Sequence, residues 1–473
     1  EHEHSEDPRI RNFRGIVLDR LGRTLEAAAE YQEAIRIDPR FEDAYRNLGF
    51  LRWKENHLES ARTALLRALE LSPDDSFAHY YLGRVQLDQM QYAQALKQLK
   101  LSSVPWPAEP DFLIQVAAAY ESLKQTGGAQ KTLDQLEPLS LNDSQLSRSA
   151  QLRLAVHDDD KAIDILTNSI KRLPATSASW AQFDLALTYL LSGKYEEAVK
   201  QAHSYLALER TKPEQPAESA AAWSVLGIAL ARRGNGQRAV DALNQAAALD
   251  PSNEEAWLNL TRELMELNRY SEAVSTTQKG ITSNPNSYAL HLRLGAAYLA
   301  AGRYRESEDV FRALVNAGDP LPTSYVGLAQ VLMREGRAEE AASELIAAQQ
   351  LVGESFLLSY FTGLSLERAG KREEAITAYQ RALQSNPANA EAHLAVGKLQ
   401  LAAGRVNDGI VELEEALRLS PGNVAARRLL SRAYQRAGNK KRAEQYAESP
   451  ATGYPAPEGD LLGDFFLPKW KTP

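Results

Sequence analysis

The stretch "AYRNLGFLRWKENHLESARTALLRALELSPDD" (44–75) decides the fold, because it comes back. It returns as "AWSVLGIALARRGNGQRAVDALNQAAALDPSN" (222–253) and as "AHLAVGKLQLAAGRVNDGIVELEEALRLSPGN" (392–423). Each copy carries an apolar–Gly pair, a turn residue, an Ala and a Pro, with a period of 34 residues. A fixed period of this size marks a repeat architecture, so it outranks any local motif. Apolar residues keep helical spacing on both sides of the turn. Each unit therefore reads as two amphipathic helices, A and B.

Working outward in both directions lays thirteen units from Pro8 to Glu448. Their eighth residue is always small: Gly15, Gly49, Gly83, Ala117, Ala150, Ala186, Gly227, Thr261, Gly295, Ala329, Gly363, Gly397 and Ser431. The twentieth is Ala in eleven units, with Ser307 and Gly409 in the others. These two slots are expected to face each other where A and B cross, since a large side chain there would force the backbones apart. The fifteenth residue is Gly or Asn in ten units, including Gly22, Asn56, Gly193 and Gly302, which suits a left-handed helix end. The thirty-second is Pro in eight units, including Pro39, Pro73, Pro251 and Pro421, and stops helix B.

This pattern resembles the tetratricopeptide repeat (TPR) family over nearly the whole chain. The resemblance implies an all-α, right-handed superhelical solenoid of about thirteen 34-residue helix-turn-helix repeats. Five segments follow: a polar start (1–7), units one to six (8–209), a polar loop and hinge "RTKPEQPAES" (210–219), units seven to thirteen (220–448), and a tail (449–473). Units four and five, about 110–176, are degenerate: they keep the Ala slot, lose most glycines, and follow the junction "VPWPAEP" (104–110).

Little in the chain points to chemistry. There is no cysteine, which excludes disulfides, thiolate metal sites and cysteine nucleophiles. A net charge of −8 with scattered Lys and Arg argues against a nucleic-acid partner. No apolar run approaches the roughly 18 residues of a membrane span, so membrane insertion is not expected. "RRGNGQRA" (232–239) lacks the preceding strand of a phosphate loop. Asp158, Asp159 and Asp160 beside His157 read as a solvated turn rather than a metal or acid–base site. His2 and His4 in "EHEH" could catch a divalent metal, but a polar terminus is the commoner meaning. The array leaves too few residues outside it for a catalytic domain, so no enzyme activity, cofactor or metal is expected. The chain begins at Glu1 rather than Met. That favours a processed secreted, periplasmic or cell-surface protein, with a cytoplasmic chain as the alternative.

In TPR proteins a concave surface is lined by helix A at unit positions 2, 5, 9, 12 and 13. Carried over, the resemblance implies a partner-binding groove containing Phe50, Trp53, Phe77, Tyr80, Arg84, Trp180, Phe183, Leu187, Arg262, Tyr360, Arg368 and Arg432. The Lys and Asn set with which the family clamps a C-terminal carboxylate is not found. Beyond the array, "DLLGDFFLPKWKTP" (460–473) is unlike a solvated tail. Its Leu461, Leu462, Phe465, Phe466 and Trp470 read as a docking element. Two functions follow as expectations. One is a non-catalytic scaffold that takes an extended or helical protein segment in its groove. The other is a structural subunit assembling head to tail into a filament or ring, its tail on a neighbouring copy.

Overall fold

A computed structural model describes residues 7–173, 178–209, 216–318 and 321–448. The EHEH start, residues 210–215 of the expected loop and the whole tail, with Leu461, Leu462, Phe465, Phe466 and Trp470, lie outside the described residues. Among the described residues there are 26 helices and no strand. The chain divides into two compact units, Glu1–Leu208 and Glu209–Pro473. The first runs from α1 (Pro8–Arg20) to α12 (Tyr195–Glu209), the second from α13 (Pro216–Arg232) to α26 (Lys440–Glu448). Within each, A and B helices alternate; each packs on the next from α1 to α11 (Ser179–Leu191) and from α13 to α26, and Phe183 of α11 meets Tyr205 of α12. α13 starts at Pro216, so residues 216–219 are helical where a loop was expected. A proline lacks the N–H that a helix's first turn leaves unused, which makes it a natural starting residue.

All thirteen residues in the eighth slot are buried, and so are all thirteen in the twentieth. The expected close approach is there: a Cβ on Gly49 would lie 3.3 Å from the Ala61 carbonyl, and one on Gly397 3.1 Å from that of Gly409. The nearest neighbour, however, is a large side chain four residues further along helix B. A Cβ on Gly83 would lie 2.7 Å from Leu99 Cγ, and one on Gly363 2.8 Å from Tyr379. The small eighth residue thus makes room for the side chain that fills the crossing.

Every A–B turn uses one residue with positive φ, from Gly22 to Gly438. Three of these are neither Gly nor Asn: Met90 (58°), Lys124 (57°) and His157 (60°). The turn geometry is imposed by packing, and these three side chains bear the steric cost. At these junctions, the second residue after the stop proline caps the next helix. Asp75 accepts hydrogen bonds from the Phe77 and Ala78 amides at 2.9 and 3.0 Å, and Asn423 one from Ala426 at 2.9 Å.

Candidate partner-binding surfaces

Successive A helices in each unit put their twelfth and thirteenth residues against the ninth to thirteenth of a neighbour. Helices α3 (Glu42–Lys54), α5 (Ser76–Asp88) and α7 (Pro110–Ser122) carry this column in the first unit. Lys54 Nζ reaches Asp19 Oδ1 at 2.7 Å, and Trp53 Nε1 donates to Asp88 Oδ2 at 2.7 Å. In the second unit, Lys398 Nζ of α23 (Ala390–Ala402) reaches Glu367 Oε1 of α21 (Phe356–Arg368) at 2.8 Å.

Four of the expected residues come together in one cluster on α3 and α5. Phe50 lies 6.1 Å from Trp53 and 4.6 Å from Tyr81 between ring centroids, and Tyr80 lies 5.3 Å from Tyr81. The Arg84 guanidinium stands 4.8 Å from the Trp53 ring, 5.8 Å from Tyr80 and 4.5 Å from Phe112. Its Nη1 also donates to Tyr80 Oη at 2.7 Å and pairs with Glu109 Oε2 at 3.3 Å. A cation held over three rings is attracted by each ring face and is fixed in place before any partner arrives. Tyr80 is buried, while Phe50, Trp53 and Arg84 are half-buried. Phe77, on the first turn of α5, is 53% exposed.

Trp180, Phe183 and Leu187 form a separate group on α11 (Ser179–Leu191). All three are half-buried, and Phe183 packs on Tyr205 at 5.6 Å. Beside them Asp184 accepts a hydrogen bond from Ser147 Oγ at 2.7 Å, and burial pushes its carboxyl upward.

In the second unit the expected residues scatter. Arg262 of α15 (Glu254–Glu266) and Tyr360 of α21 are buried at 5% and 8% exposure. Tyr360 spends its ring on Phe356, Phe361 and Tyr379, all within 5.7 Å. Arg368 and Arg432 of α25 (Val424–Arg436) are exposed. Next to Arg262, Glu263 is buried with Oε2 unpaired; burial and then Glu266 push its carboxyl up to about 7.

Tyr81, Trp106 and Phe112 belong to the first cluster but were not among the expected residues. Trp106 meets Phe112 edge-on at 5.9 Å. It comes from the irregular junction 104–110, whose three prolines and tryptophan were the only sequence signal for it. A further apolar face lies on α1 and α2 (Thr24–Ile37), where Phe13, Leu21 and Leu25 are 69%, 65% and 80% exposed.

Tetratricopeptide repeat models match residues 149–254 and 360–423, 230–286 and 400–450, 64–97, and 42–75; a TPR repeat model matches 20–56. Together these matches span most of the chain. Tetratricopeptide repeat protein 37 of Xenopus laevis is 24% identical over 281 residues, 58% of this chain and 18% of its own length. The chain therefore spans less than a fifth of that relative. A BBSome complex member BBS4 homolog of Drosophila melanogaster is 20% identical over 374 residues, 78% of this chain and 71% of its own. Among solved structures, yeast Tom70 is 14% identical with a TM-score of 0.44, covering 94% of this chain and 100% of that one. A tetratricopeptide repeat protein from Parabacteroides merdae is 16% identical with a TM-score of 0.43, covering 54% and 98%.

Proposed function

This chain belongs to the tetratricopeptide repeat family, and on that premise we propose that it is a non-catalytic scaffold whose first unit grips an extended protein segment on α3, α5 and α7. The observation that carries this reading is the Arg84 guanidinium held over Trp53, Tyr80 and Phe112, with the exposed Phe77 on the same helix. Aromatic and Arg side chains that are already immobilised lose little entropy on binding, which is why they dominate interface energetics. Trp180 and Phe183 on α11 offer a secondary contact, and Arg368 and Arg432 supply cationic points in the second unit. Selecting displayed random peptides on the intact chain, with counter-selection on the Trp53→Ala chain, tests the reading. Sequences rich in apolar residues should be enriched on the first and lost on the second. Equal enrichment on both would contradict it.

A second reading, a structural subunit that binds further copies of itself, is favoured by the uncovered face of Ile10, Phe13, Val17, Leu21 and Leu25. Contiguous apolar surface of this kind is uncommon on a protein that works alone. Sedimentation across a hundredfold concentration range separates the two readings: a constant monomer retires the second.

A further inference from the structure

We propose that residues 449–473 dock in cis on the A-helix face of the second unit. There they would lie over α19 (Pro322–Arg334), α21 and α23, with Leu461, Leu462, Phe465 and Phe466 against apolar side chains and Asp460 and Asp464 towards Arg334 and Arg368. This docking is independent of the first-unit surface and would regulate access to a different part of the array.

Three observations on this face converge. The first is a buried amide. Gln330 is 4% exposed, and neither its Nε2 nor its Oε1 has a hydrogen-bond partner. It sits one helical turn from Val326 and from Arg334 on α19, so it belongs to the same column. A side-chain amide offers one acceptor and two donors, the complement of one peptide unit of an extended strand. An unmatched buried amide is uncommon and calls for a partner.

The second is charge. Arg334, Arg368 and Arg432 are exposed, and none has a carboxylate partner among the described residues. Elsewhere in this unit several arginines are paired, Arg312 with Glu308, Glu340 and Glu344 and Arg337 with Glu308, Glu335 and Glu340. The tail sets Glu458, Asp460 and Asp464 around its apolar core, which is the opposite sign. On the same helices, Leu364 of α21 and Leu394 of α23 are only half-buried. The exposed face of α1 and α2 does not offer this match, because its Arg14 and Arg23 are already paired with Glu30 and Glu26.

The third is reach. Twelve residues separate Glu448 from Leu461. An extended chain of that length covers about 40 Å. Stepping from α25 back to α19 crosses three A-helix spacings of about 10 Å each. A short tether also holds the tail at an effective concentration in the millimolar range, so docking in cis precedes docking on a neighbour at ordinary protein concentrations.

The test uses the full chain carrying a photoreactive benzoylphenylalanine at position 466. The expected result is crosslinks to α19, α21 or α23 within a single chain, at a yield unchanged by tenfold dilution. Arg334→Glu with Arg368→Glu should lower that yield by about fivefold or more, while Arg238→Glu should not. Should the doubly reversed chain lose helicity, Asp460→Arg with Asp464→Arg, altered only outside the repeats, must give the same loss. Crosslinks to α1 or α2, an intermolecular product that fades on dilution, no crosslink, or indifference to both charge reversals would each overturn the proposal.

Discussion

Replacing Gly327 by alanine adds one methyl group at the tightest point in the second unit. Its Cβ would lie 2.4 Å from Phe311 Cε1, 2.5 Å from Cζ and 2.7 Å from Cδ1. Carbon atoms are comfortable at about 3.5–4.0 Å, so the ring would have to retreat by roughly 1 Å. It cannot do so freely. Phe311, on α18 (Tyr304–Asn316), is fully buried, and Gly295 of α17 (Tyr288–Ala300) approaches the same ring, with a Cβ position 2.7 Å from its Cζ. Overpacking of a closed core costs about 1–3 kcal/mol. With no room to yield, the upper end applies, offset by the roughly 0.5–1 kcal/mol that alanine gains over glycine in a helix. The net expectation is a loss of about 2 kcal/mol. Urea unfolding followed by circular dichroism measures it against Gly422→Ala in the same unit, where an added Cβ meets nothing within 4 Å and φ is not positive. That control should be neutral or slightly stabilising. Adding Phe311→Leu to Gly327→Ala should cost less than the two changes summed, since the smaller side chain vacates the contested space. Gly327→Ala within about 0.5 kcal/mol of the control would refute the argument that a large side chain of helix B, seated against small A-helix residues, holds adjacent pairs together.

The same logic in the first helix pair of that unit predicts that Gly227→Leu or Ala239→Leu destabilises by about 1–3 kcal/mol or more. Arg238→Leu, on an exposed position, should be far milder, and equal losses would show the register to be wrong. Met90→Gly should stabilise the first unit by about 1 kcal/mol, because a side chain at φ 58° gives way to a residue that accepts it; a shift to lower denaturant would contradict this. Glu263 binds its proton more tightly folded than unfolded, so its contribution to stability is full below about pH 4.5 and is lost as pH rises through about 7. Glu263→Gln should therefore raise stability at pH 8 by about 1–3 kcal/mol and change little at pH 4, and a pH-independent difference would rule the buried carboxyl out as the cause.

The array was legible because each of its marker slots answers to a steric demand that few residues meet. A small eighth residue and a small twentieth leave a trace at every unit, even where units four and five drift, and a left-handed turn does so in ten. The identity of the clasping partner was less legible: Leu65, Leu243, Phe311 and Tyr379 differ in size and shape, so the slot shows only as apolar. The turns at Met90, Lys124 and His157 were hidden for the opposite reason, since packing imposes a conformation their side chains do not favour. In the first unit, positions carried over from the family located Trp53, Tyr80 and Arg84. They missed Tyr81 and Phe112, which reach the cluster from positions otherwise used for packing. In the second unit the carried-over positions fell on Arg262 and Tyr360, which the core encloses. A helical position fixes a direction, but the size of the neighbours decides whether water reaches it.

The most direct test of the scaffold reading is calorimetric titration of a selected peptide into the intact chain and its Trp53→Ala and Phe77→Ala variants, with Phe13→Ala as the control. Truncating an aromatic anchor costs about 2 kcal/mol, so Kd should weaken by about thirtyfold for the first two and stay within about twofold for the control. Unchanged affinity in both α3 and α5 variants, or an equal loss with Phe13→Ala, would contradict the account.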